Sequence, residues 1–426
     1  MIVLEKIFTV VALLIYSGGL LLLILSGGAN ESDVEVNYDT SIYQIAYILI
    51  YLITLFLLGL RWKKTIYVLS KNKFVLLLLG ITLLSIFWSF APALTLKNSF
   101  RLIGSSLFGI YLSSRYTLKE QLKLLAWMFA IAIVLSFIFA VALPKYGIMG
   151  GVHAGKWRGI FVHKNGLGSS MLNSCTIFLL MAVGFKKNRK LFWCGFGLSL
   201  ILILLSVSTS ALINLIILIG VFIAFRALWL PYYVMIPTIL AVVTVGQIIY
   251  FLFTNNADLI FGVFGKDTNL SGRGDLWSLV FDMIWKHPWL GYGYSGFWNG
   301  WNGESAYIWR AAPWTPTHPH NGFLELWLNL GLLGLSIFLI GFGINYFKAL
   351  AFVRLSRRIE DFFPVIHMTS LVLINLTETA LLESDNLGWI IYIALSSSMN
   401  IQVHEQMKKK TLYSINQKQQ NYLIQG

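Results

Sequence analysis

TPTHPHNGFLEL, residues 315 to 326, is the densest set of groups in the chain with chemistry to offer. His318 and His320 flank Pro319, and a histidine beside an aqueous cavity suits general-base work because its ordinary pKa lies near neutrality. A His-x-His pair is also half of a zinc site, but no third ligand from Cys or Asp stands at a matching spacing, so neither a metal nor another cofactor is expected. The plainest alternative is that both histidines only hydrogen-bond the loop. Asn321 is placed to cap the helix that follows, and Glu325 lies one turn below it on the same face. The spacing favours His318 slightly as the base, since His320 abuts the helix start and reads as a structural post.

Cationic candidates lie elsewhere. In NLSGRGDLW, 269 to 277, a loop turns into a short helix, with Ser271 or Asp275 as caps and Arg273 near the N-terminus, where side chain and free amides together suit an anion. KWRGIFVHKNG, 156 to 166, gathers Lys156, Arg158, His163 and Lys164. In NLTETALLESDN, 375 to 386, Glu378 sits at the edge of an apolar zone and needs a cation or a hydrogen-bond donor. Arg101 and Arg310 are weaker candidates. KHPWLGYGYSGFWNGW, 286 to 301, alternates glycine with aromatic residues, which suits stacking on sugar rings and equally suits an interfacial re-entrant segment.

The elements that must position these residues are membrane helices. Hydrophobic residues make up 57% of 426 and charged residues only 12%, more apolar sequence than a soluble core absorbs. Apolar runs fall near 6–26, 42–60, 74–91, 99–114, 123–143, 167–185, 191–207, 210–225, 231–253, 322–347, 362–381 and 387–402, which predicts an all-α integral membrane protein of about twelve transmembrane helices. The first run is too long for a signal-peptide core and reads as a retained span. Residues 1–426 form one polytopic membrane domain, with a loop of 255–321 between the ninth and tenth spans. Cys175 and Cys194 both lie in apolar runs and support neither a disulfide framework nor a thiolate metal site.

Alternate loops hold 22 of the 32 lysines and arginines, and these face the cytoplasm, with both termini inside. The net charge of +14 is therefore topogenic, attracted to anionic lipid, and nucleic acid is not a partner. The loops of 144–165 and 255–321 then face outward, and the first holds Lys145, Lys156, Arg158 and Lys164 without an acid, against the topogenic trend. Cytoplasmic loops are short and carry no phosphate-binding loop, so chemistry is expected outside, without nucleotides. The tail after Gln406 reads as a solvated end.

SGRGDLW, HPWLGYGYSGF and HPHNGFLELWLNLGLLG, in that order, resemble the shared motifs of the O-antigen ligase and polysaccharide polymerase superfamily, and WRGIFVHKNGLG is similar to the matching segment of its exopolysaccharide polymerase branch. The resemblance implies a C-type glycosyltransferase in the bacterial cytoplasmic membrane that takes undecaprenyl diphosphate-linked oligosaccharide, joins it to a growing polysaccharide with inversion, and needs no metal. It implies that Arg273 contacts the donor diphosphate and that His318 or His320 is the base. The ligase branch often carries a further arginine near the eighth span; SVSTSALINL, 206 to 215, has none, and Arg158 is the replacement read here. Lys156, His163, Lys164, Asn321, Glu325 and Glu378 complete the expected substrate-binding set. Membrane lipids, a flippase and a chain-length regulator are further partner candidates. Transfer to another acceptor, as by an O-antigen ligase, is the alternative within the class. A secondary transporter or a lipid-linked oligosaccharide flippase is the alternative outside it, with Glu378 and His367 as candidates for depth.

Overall fold

A computed structural model describes residues 2–28, 41–231, 233–237, 273–312 and 314–402. Most of the expected ninth span, the first part of the long loop and the polar tail lie outside the described residues, as does the side chain of Arg273.

The described residues are helical, with no strand beyond an isolated bridge between Ile148 and Trp157. The helices are α1 (Ile2–Tyr16), α2 (Leu20–Leu25), α3 (Ser41–Gly59), α4 (Trp62–Ser70), α5 (Lys73–Leu84), α6 (Pro92–Arg115), α7 (Leu118–Ala142), α8 (Lys164–Gly184), α9 (Arg189–Ser206), α10 (Thr209–Phe225), α11 (Arg273–Lys286), α12 (Ala306–Ala311), α13 (Gly322–Ser356), α14 (Phe363–Asn375) and α15 (387–402). Among the described residues six helices are long and apolar enough to cross a membrane: α3, α7, α8, α9, the stretch Thr209–Trp229 that continues α10, and α13. A seventh candidate is the pair Trp62–Ser70 and Lys73–Phe87, bent by 90°. The structure thus supports a multi-pass, all-helical membrane protein, and several expected runs are not single rods. The run of 6–26 is broken at Ser17 to Gly19, and the run of 362–381 ends as helix at Asn375, after which the chain turns into the protein.

The distribution of side chains fits a lipid solvent. Phe56, Trp127, Ile216 and Phe347 stand well exposed on the outside of the bundle, whereas Ser99, Ser105, Ser106, Ser174 and Ser199 are buried between helices. Small hydroxylated residues let backbones approach and bond across the gap, as Ser174 and Ser199 do at 2.7 Å between α8 and α9. Polar contacts also sort by end. Glu5 of α1 is clasped by Arg61 at 2.8 Å and by Arg115 at 3.1 Å, and all three come from segments expected inside. His320, Glu378 and Asn165 meet at the opposite set of loops.

The glycine-aromatic segment is the keystone of that second end. Helix α13 breaks at Gly331, whose φ of +65° and ψ of −171° belong to a region only glycine visits freely. Trp289 O would stand 2.1 Å from a Cβ there. The chain of 287–292 fills the break: Leu332 N donates to Pro288 O at 2.8 Å, Leu333 N to Trp289 O at 3.2 Å, and Tyr292 N to Leu328 O at 2.9 Å. Backbone groups freed by the break are thereby satisfied by protein, as a membrane setting requires. Tyr292 and Phe297 are buried in this packing, so these two rings support the fold rather than wait for sugars.

Candidate active site

A cavity of about 820 Å³ opens where the second end of the bundle meets the loops. Its wall is built from the break after α1, the start of α6, the start of α8, the segment around Trp298, the His-x-His loop, the first turns of α13 and the loop of 376–386. Sequence segments far apart thus converge on one space; of the residues singled out above, His163, His318, Glu325, Arg101 and His367 line it, whereas His320, Asn321, Lys156, Arg158, Lys164, Glu378 and Arg310 do not.

Asn321 caps α13 as its position demands, its Oδ1 accepting from Phe323 N at 3.0 Å and Leu324 N at 3.2 Å. Next to it Gly322 leaves room for Asn375, whose Oδ1 would stand 1.9 Å from a Cβ; Asn375 in turn accepts from Ala380 N at 2.8 Å and so ties the 376–386 loop to the helix start. Glu325 faces the cavity, taking Trp298 Nε1 at 2.9 Å and Asn329 Nδ2 at 2.8 Å; Asn329 Oδ1 holds Ser295 N at 3.0 Å. This carboxylate is a member of a positioning network of donors, and Asn329 is a partner that sequence reading missed.

The two histidines differ. His318 lines the cavity, and its Nδ1 accepts from His320 N at 3.2 Å. An imidazole whose Nδ1 accepts a backbone N–H carries its proton on Nε2 when neutral. His320, at φ +52°, presents Nδ1 to Glu378 Oε2 at 3.5 Å, with its ring centroid 4.1 Å from that of His318 and 5.8 Å from that of Trp314. That distance makes an ion pair once the ring is protonated, and Nδ1 has no hydrogen-bond partner among the described residues.

Glu378 also ties in the basic loop of 144–165. Asn165 Nδ2 donates to Glu378 Oε1 at 3.2 Å, while Asn165 Oδ1 takes Lys164 Nζ at 3.2 Å and Ser208 Oγ at 3.5 Å. His163 caps α8, accepting Asn165 N at 3.2 Å, and lines the cavity. Lys164 is therefore at the site's margin, next to Asn165, a second residue that sequence reading missed. Lys156 is half-buried and is not among the residues of the cavity wall.

Arg158 does not stand where the sequence placed it. It is wholly buried, and its guanidinium donates to Tyr146 O at 2.7 Å, Gly28 O at 2.7 Å, Lys145 O at 3.1 Å and Val162 O at 3.4 Å. Four carbonyls of three segments use its fork, so the residue organises the loops around it instead of lining the cavity. Arg101, the weaker candidate, is on the wall. Its Nε pairs with Asp385 Oδ2 at 2.8 Å and its Nη1 with Asn98 Oδ1 at 3.1 Å, while Tyr51 also hydrogen-bonds Asp385. Arg273 begins α11, and its side chain lies outside the described residues.

The loop of 376–386 adds acids to the wall. Burial raises the Asp385 carboxyl, and Arg101 opposes that rise. Glu383 lines the cavity with its side chain exposed to the solvent there; the surrounding protein raises its carboxyl to about 7, against the pull of the Asn386 amide at 2.7 Å. His367, from α14, closes the cavity from below, its Nε2 3.0 Å from Gly388 O. Among the described residues no group of three or more His, Cys, Asp or Glu side chains is placed to hold a metal.

An all-helical membrane protein with one polar, histidine- and carboxylate-lined cavity at the loop end of its bundle is the class these features define. Residues 194–339 match the family described as O-antigen ligase, a stretch that includes Arg273, both histidines, Asn321 and Glu325. The chain is also 26% identical over 265 residues to the exopolysaccharide production protein ExoQ of Rhizobium meliloti (strain 1021), a match that covers 60% of this chain and 60% of that protein. The resemblance to the O-antigen ligase and polysaccharide polymerase superfamily stands on both findings.

Proposed function

We propose that the chain is a glycosyltransferase of the bacterial cytoplasmic membrane that joins undecaprenyl diphosphate-linked oligosaccharide units into a surface polysaccharide at the outer membrane face. The observation that carries this reading is the contact of His320 with Glu378 beside the cavity. His320 takes the proton of an acceptor hydroxyl, the oxygen attacks the anomeric carbon opposite the diphosphate, and the bond from that carbon to the diphosphate oxygen breaks, with inversion. A well-placed base contributes about 10² to 10⁴ in rate. His320 is favoured over His318 because Glu378, 3.5 Å from its ring, stabilises the imidazolium formed when it takes the proton, whereas His318 spends its Nδ1 lone pair on a backbone amide.

The leaving diphosphate is anionic and needs fixed cations, each charge-assisted contact contributing roughly 1.5 to 3 kcal/mol. Arg273, at the start of α11, is the proposed contact, and Arg101 replaces Arg158 as the second arginine near the substrate. The acid-rich wall of Glu325, Glu383 and Asp385 suits sugar hydroxyls, which donate to carboxylates. Polymerization is preferred to ligase-type transfer because the segment His163 to Asn165, the mark of the polymerase-like branch, reaches the same Glu378 as the base.

Transport is the reading from another class. Against it, the described acids and histidines of the loop end gather around one cavity, and Glu5 at the other end is neutralised by Arg61 and Arg115. The test supplies purified protein with undecaprenyl diphosphate oligosaccharide and examines the products. A ladder of lengthening glycans supports the polymerase, a single transfer to an added acceptor supports the ligase, and no product with intact donor sinks both.

A further inference from the structure

We infer that a second pocket, beside the cavity, is a binding subsite for a neutral pyranose unit of the glycan; this rests on the reading above that the cavity handles lipid-linked sugar. The pocket has a volume of about 310 Å³, within the range of about 300–1,000 Å³ typical of small-molecule sites. It adjoins the cavity through consecutive residues, Trp298 on the wall of one and Asn299 on the wall of the other, and among the described residues none lines both.

Its chemistry is that of a sugar site. Trp301 is 58% exposed although Trp309 holds it in an edge-to-face contact at 5.3 Å, and Trp309 is itself anchored through Nε1 to Pro316 O at 2.7 Å. Tyr307 is fixed by its hydroxyl on Asp282 at 3.1 Å and by Lys286 Nζ 4.9 Å from its ring centre. Rings fixed in advance lose little freedom when a ligand stacks on them, and a fixed ring left in water offers its face to the C–H side of a pyranose.

Asn302, Glu304 and Arg310 surround the rings with donors and acceptors. One acid and one arginine leave no bias toward an anion, which sets this pocket apart from a diphosphate site. Asn299 lines the pocket, and its Nδ2 donates to Gly296 O at 2.6 Å, which holds the wall in place. A unit held here while its neighbour occupies the cavity keeps the glycan on the protein between additions.

The test uses the full chain, purified in detergent, and as probe the oligosaccharides released by partial acid hydrolysis of the host's own exopolysaccharide. Saturation-transfer NMR should show contact with sugar C–H groups in the wild type and in His320→Ala alike. Trp301→Ala should weaken binding about three- to tenfold, the scale of one lost aromatic contact, and Trp301→Phe should restore most of it. Equal binding by wild type and Trp301→Ala, or no binding by either, overturns the subsite. Glycan synthesis by His320→Ala is measured separately: if it persists, the catalytic reading falls, while the binding contrast at Trp301 still decides the pocket.

Discussion

The carboxylate of Glu378 stands 3.5 Å from Nδ1 of His320, and its other oxygen takes the Asn165 amide at 3.2 Å. One acid from the loop after α14 thus touches both the His-x-His motif and the start of α8. This arrangement distinguishes the two histidines, which local spacing leaves nearly equivalent.

Replacing His320 by Ala is expected to leave donor binding nearly intact while turnover falls by roughly 10² or more. Glu378→Gln should lower turnover in the same direction, because a neutral amide no longer offsets the charge of the protonated ring, and Glu378→Asp should recover part of it. His318→Ala is expected to cost less than His320→Ala. Single-turnover rates and donor affinities at matched folded amounts check this; a larger loss for His318→Ala would reverse the assignment.

The arginines should separate by role. Arg273→Ala is expected to weaken donor binding as well as turnover, with Lys rescuing only part, since lysine keeps the charge and loses the two-pronged geometry. Arg158→Ala should lower the yield of folded protein, because the Gly28, Lys145 and Tyr146 carbonyls lose their shared donor. Donor affinity per folded molecule should then be unchanged for Arg158→Ala and reduced for Arg273→Ala.

Glu383 makes stability depend on pH. Its folded pKa of about 7 lies above an unfolded value of about 4.3, so the stabilising effect of the protonated form is complete at acid pH and is lost as pH rises through 7. Glu383→Gln, a permanent mimic of the neutral acid, should match the wild type in Tm near pH 4 and exceed it near pH 8. Thermal melts in detergent at both values decide the matter, and a constant difference across that window speaks against the shift.

Gly331 tests the lock in α13. Gly331→Ala puts a Cβ 2.1 Å from Trp289 O in a backbone region that costs other residues on the order of 1–3 kcal/mol. A lower Tm and loss of activity should appear together, and a variant as stable as wild type would show that the 287–292 loop does not depend on the glycine.

Orientation is open to direct labelling. Cysteines at Lys156 and Glu304 should react with a membrane-impermeant thiol reagent in intact cells, as the distribution of lysine and arginine implies. Labelling of both only after lysis would invert the topology.

Much of the fold was legible in the sequence because its signals act locally. An apolar run of helical length excludes water over its own residues, and Asn321 caps the helix beside it. His318, His320, Glu325 and Glu378 could be singled out for the same reason, as polar groups bordering apolar runs. What only the tertiary structure decided depends on which helix faces meet. Arg158 and Arg101 are both arginines close to apolar runs, yet carbonyls of distant loops consume the first and the cavity receives the second. The aromatic stretch of 286–301 divides among a helix lock, a cavity wall and a second pocket, a division that follows from the break at Gly331 and from no spacing in the stretch itself. The choice of His320 rests on Glu378, a partner brought close only by the folding of α13 against α14, and no local pattern records contacts of that range.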